Sequence, residues 1–207
     1  MKGVSSIRPA LLVPENASPQ AIHRPRSGRE IERQSGFSLV EVSIVTAIVL
    51  LLAILGLPAV GHYIIENKVP KVGEELARYM LQTQVNAPAG IAEPYAQIAT
   101  RNFANTVRGS PLFSVTGTEA APQVMHGLGA DGQVSVAPVS LGLGFSVTLT
   151  NVSDVACPSI ASVMQRVSDS VSIGGVVVKD DATPYSALAA EAECTPGENN
   201  TFVFSIG

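Results

Sequence analysis

From Val42 to Ile65 the sequence VSIVTAIVLLLAILGLPAVGHYII contains no Asp, Glu, Lys or Arg. As a helix rising about 1.5 Å per residue it would reach about 36 Å, enough to cross the roughly 30 Å hydrocarbon layer of a bilayer. Such a segment must be covered by lipid or by other protein, and that requirement limits every fold open to the chain. It is too long for the apolar part of a secretory signal peptide, and it runs on into Glu66, Lys68 and Lys71 rather than ending at a small-residue cleavage site. It is therefore expected to remain in the mature protein as one transmembrane helix. Arg24, Arg26, Arg29 and Arg33 precede it, which holds the N-terminus in the cytoplasm and sends the remainder across.

Charge divides the chain at the same place. Residues 1–36 carry six Lys or Arg against three Glu, whereas the chain as a whole has a net charge of −4, so a basic leader precedes an acidic body. An acidic body without Trp does not suit a nucleic-acid binder, which must neutralise phosphates with clustered Lys and Arg. At 207 residues there is room for one head and its appendages.

Glu41 stands out among Phe37, Leu39, Val40 and Val42. An ionised side chain at membrane depth costs roughly 2.5–3.5 kcal/mol on insertion scales, so it must reach the interface or find a partner. Its setting, Gly36-Phe37-Ser38-Leu39-Val40-Glu41, resembles the processing motif of type IV prepilins. The resemblance implies that a prepilin peptidase cuts between Gly36 and Phe37, that the new amine of Phe37 is methylated, and that Glu41 docks each subunit into a fibre. Helix geometry agrees, since positions four apart share a face and cleavage would create a cation at Phe37 near Glu41. A neighbouring copy's amine would serve equally in a staggered fibre. Pro58 sits where many pilins have a helix proline, which bends or loosens the helix. The leader of 36 residues resembles those of type IVb prepilins, while Phe at the mature start is more typical of type IVa.

Beyond the membrane, Val72, Leu76, Tyr79, Met80 and Thr83 recur at helical spacing, which predicts that the helix continues as an amphipathic half with a bend at Pro70 and Gly73. Asn86-Ala87-Pro88 would stop it. A second helix is predicted over 94–108, started by Pro94 and ended by Gly109. Strand-like runs follow at Leu112–Val115, Gln133–Val136, Phe145–Leu149, Ser170–Val178 and Thr201–Ile206, with a short helix around Pro158–Val167. The expected division is a cleaved leader over 1–36, a long helix over 37–86 with its transmembrane part at 37–65, and a head over 87–207. The implied fold class is α+β, a type IV pilin fold: a long N-terminal helix packed on an antiparallel sheet, with a C-terminal disulfide-bounded region. In an oxidising compartment Cys157 and Cys194 are expected to bridge, a pairing that resembles the disulfide of pilin heads; two unpaired core thiols are the alternative.

Catalytic patterns are missing. Gly127-Leu128-Gly129-Ala130-Asp131-Gly132 matches the dinucleotide fingerprint in letters, but QVSVAPV follows it in strand-like alternation where a helix is needed, so it is read as a turn. His23, His62 and His126 are dispersed, and the cysteines lack metal-ligand spacing. No cofactor or enzymatic activity is expected. The resemblance implies a major structural pilin, carried in the bacterial inner membrane and then in an extracellular fibre serving adhesion, motility, aggregation or conjugative DNA transfer. Its implied partners are further copies of itself, the prepilin peptidase and the pilus assembly platform with its ATPase. Two other readings fit the same pattern: a type II secretion pseudopilin or minor pilin, and a single-pass membrane-anchored periplasmic protein.

Overall fold

A computed structural model describes residues 38–207. Helix α1 runs from Leu39 to Val85 without a break, through Pro58, Pro70 and Gly73. Its two halves differ in what covers them. Among the side chains described between Leu39 and Ile64 the large apolar ones are exposed, whereas Val69, Val72, Leu76, Tyr79 and Met80, spaced by three, four, three and one, are buried. That spacing places one stripe of the helix in the core.

Gly73 does something other than the bend predicted for it. A Cβ at this position would lie 2.7 Å from Cγ1 of Val163 and 3.3 Å from Cδ1 of Ile160. Both belong to α3, Cys157–Met164, so the missing side chain lets two helices approach closely. Hydrogen bonding also shortens the second predicted helix. Helix α2 spans only Thr100–Val107, because Ala99 is extended and its N–H donates to Oδ1 of Asn102 in a reversed cap, leaving Pro94 to Gln97 as turns.

The head is a seven-stranded antiparallel sheet. Its strands are β1 Ser114–Gly117, β2 Pro122–Met125, β3 Gln133–Val139, β4 Gly144–Val152, β5 Ser170–Ile173, β6 Val176–Lys179 and β7 Asn200–Ile206. They lie in the order β1-β2-β3-β4-β7-β5-β6, so β7 is inserted between β4 and β5. Along β7 burial alternates strictly, with Asn200, Phe202, Phe204 and Ile206 inward. These residues meet the buried faces of β3 to β5, α1, α2 and α3 in one core, where Tyr79, Phe103 and Phe113 form successive edge-to-face ring pairs at 4.9 and 5.2 Å.

Two strand expectations are corrected here. The single strand Ser170–Val178 is two strands, β5 and β6, because Gly174 and Gly175 both take positive φ and form a hairpin turn that residues with a Cβ would resist. The run at Leu112–Val115 pairs instead over Ser114–Gly117, with Leu112 packed against the core. Strand β2 and a short helix α4, Ala187–Ala192, were not foreseen, being only four and six residues long.

Gly73→Ala provides a test of the helix contact. In an exposed helix this change would stabilise, but here crowding against the stiff side chain of Val163 should cost about 1–2 kcal/mol. Thermal unfolding of the chain in micelles should show the loss, and adding Val163→Ala should recover most of it.

Candidate functional site

The long helix and the part of the head that holds it carry the features that bear on function. Within α1 the most apolar 18-residue window has a mean hydropathy of 2.6, and none of it is buried by the rest of the chain. A core helix of a soluble domain would be covered. Among the side chains described from Leu39 to Ile64, fifteen large apolar ones stand exposed. Full burial of one such side chain is worth about 1.5–3 kcal/mol, so this surface rivals the net stability of a typical domain, about 5–15 kcal/mol.

Glu41 lies in the first turn of α1, where the helix dipole favours a negative charge. Pro58 lies inside the continuous helix. Gly36 and Phe37, the expected cleavage and methylation positions, and the leader 1–36 lie outside the described residues, so the expected pairing of Glu41 with the Phe37 amine is not described. Glu41 and Pro58 are separate points along one helix and do not form a cluster.

Cys157 and Cys194 are joined by a disulfide with Cα atoms 5.9 Å apart, closing a separation of 37 residues. The bridge ties the start of α3 to the segment after α4, and so holds in place the helix against which Gly73 packs. By the chain-entropy argument, closing a loop of this length stabilises by about 3–4 kcal/mol. Asp154 reinforces the same corner. Its N–H donates to the Gly197 carbonyl at 2.8 Å, and its carboxylate accepts from the N–H groups of Gly197 and Val155 at 3.2 and 2.9 Å. Those bonds, the one from Gly197 first, hold its pKa below the usual carboxylate value.

The glycine-rich stretch 127–132 wraps a buried histidine. Nδ1 of His126 accepts from the Leu128 N–H at 3.0 Å, which leaves Nε2, 2.8 Å from the Thr150 carbonyl, to carry the proton and donate. A Cβ on Gly132 would collide with the imidazole ring, and one on Gly129 with the carbonyl of Asn151. These glycines are therefore small because backbone and ring come close, and strand β3 follows them directly. Among the described residues no group of His, Cys, Asp and Glu is placed to hold a metal.

A helix of membrane length whose second half lies in the core of an antiparallel sheet, with a disulfide closing the C-terminal part, agrees with the layout that the sequence resemblance implies. The family model described as "PilS N terminal" matches residues 129–207, from the glycine-rich turn to the end of β7. Among solved structures the chain is similar to the type IV b pilin from Salmonella typhi, with 25% identity, 65% of this chain and 94% of that chain covered, and a TM-score of 0.46. No curated protein matches the sequence. Over residues 129–207 the chain is thus similar to the PilS family.

Burial pushes the His126 imidazole below its ordinary value, outweighing the bond to Thr150. Because the folded pKa is lowered, the unfolded chain binds the extra proton first. Stability is then complete above about pH 6.5 and falls as the pH drops from there toward the folded pKa. Asp154 should add a further loss only below about pH 4. Denaturant titrations from pH 8 to 3.5 should show the first loss, and it should vanish in a His126→Gln chain.

Proposed function

We propose that this protein is the major structural subunit of a type IV pilus. In this reading the precursor sits in the inner membrane with its basic leader in the cytoplasm. A prepilin peptidase removes residues 1–36 after Gly36, Phe37 becomes the methylated N-terminus, and the assembly platform with its ATPase moves the subunit from lipid into the fibre. The exposed apolar half of α1 carries this reading, because it suits two successive environments. Lipid covers it first, and the same halves of other copies cover it afterwards. The heads then form the outer surface of the fibre, whose use is adhesion, motility, aggregation or conjugative DNA transfer.

Glu41 has a distinct task in this scheme. A carboxylate among packed apolar helices is costly unless paired, and an amine in or beside the same subunit supplies the partner. That amine exists only once the leader has been removed, so correct pairing favours processed subunits. The bridge between Cys157 and Cys194 keeps the head intact outside the cell.

Mass spectrometry of subunits from sheared surface fibres is the direct test. The expected mature chain begins at Phe37 and is one methyl group heavier than its sequence. Fibre subunits that retain the leader would refute the reading.

A further inference from the structure

The end of α1, the turns that follow it and α2 together line a cleft of about 420 Å³. Pockets that hold small ligands span roughly 300–1,000 Å³. None of the twelve residues lining this cleft is charged. Its polar groups are amides and hydroxyls, among them Gln82, Thr83, Asn86 and Gln97, and its apolar surface includes the rings of Tyr79 and Tyr95. Among the described residues, the side chains of Gln82, Asn86 and Gln97 make no hydrogen bond within the protein, and all three are exposed.

Tyr79 adds an independent observation. The residue is 5% exposed, and its hydroxyl is buried at the cleft without a hydrogen-bond partner. Thr83, one turn further on, interacts with it, but the geometry falls short of a hydrogen bond. A buried hydroxyl left in this state costs about 1–3 kcal/mol, and a hydroxyl brought by a ligand would remove that cost.

We propose that this cleft binds a neutral saccharide. Amide side chains both donate and accept, as vicinal sugar hydroxyls require, and aromatic rings pack against the C–H faces of a pyranose. An anionic ligand would find no cation in the lining, and a purely apolar one would strand the three free amides. The cleft lies within the head and the second half of α1, so the inference needs the fold but not fibre assembly, and either reading can fail without the other.

The full-length chain in dodecylphosphocholine micelles, which contain no sugar, should be titrated with lactose, maltose and N,N′-diacetylchitobiose by saturation-transfer difference NMR. At least one of these should receive saturation at millimolar concentration. Asn86→Ala and Gln97→Ala, both surface changes, should each weaken that binding by about five- to tenfold, as for loss of one neutral hydrogen bond. Tyr79→Phe should weaken it similarly without lowering the melting temperature. No transfer to any of the three sugars would overturn the proposal, and so would binding that all three variants leave unchanged.

Discussion

The apolar surface on the first half of α1 is the constraint on which the rest of the structure depends. Water does not tolerate a run of this length, and the head does not cover it. A single helix therefore serves two solvents: one half carries exposed large apolar side chains for lipid or for other helices, and the other carries a stripe that belongs to the head. The boundary falls between Ile64 and Val69, where Glu66, Asn67 and Lys68 separate exposed apolar residues from buried ones.

The head is built to hold such a helix firmly. Gly73 allows α3 to approach α1 closely, and the bridge from Cys157 fixes the start of α3. Strand β7 lies inside the sheet between β4 and β5, so it joins the β1–β4 part to the β5–β6 hairpin. Its neighbours β4 and β5 contribute Phe145, Val147, Leu149, Val171 and Ile173 to the same core as Phe202 and Phe204. The corner around Asp154 and the turn around His126 join this sheet to the disulfide region through Glu198, whose carboxylate accepts from the N–H of Ala130 at 2.8 Å. Acid, by protonating His126 and then Asp154, acts on one connected part of the head.

Patterns of long range in the sequence were legible, and contacts between distant residues, the disulfide apart, were not. The long helix, the stripe from Val72 to Met80, the antiparallel sheet and the disulfide all follow from hydropathy, spacing and compartment. Gly73 was misread as a bend because a helical glycine looks the same in sequence whether it breaks the helix or admits a neighbour such as Val163. Gly174-Gly175 was a legible turn signal, hidden inside a run of Val and Ile that suggested one strand. The start of α2 at Thr100 depends on the Asn102 side chain reaching the Ala99 N–H, which outweighed the pull of Pro94 as a helix start. The cleft beside Tyr79 left no sequence signal, since its amides come from two segments joined only by the fold.

The claim that the uncovered half of α1 is covered by other copies is tested most directly by a photo-crosslinking residue at Leu51 in purified fibres. The account predicts subunit-to-subunit adducts that climb in a ladder of multimers and map to the same helix of neighbouring copies. Adducts confined to lipid or to assembly proteins, with no subunit pairs, would contradict it.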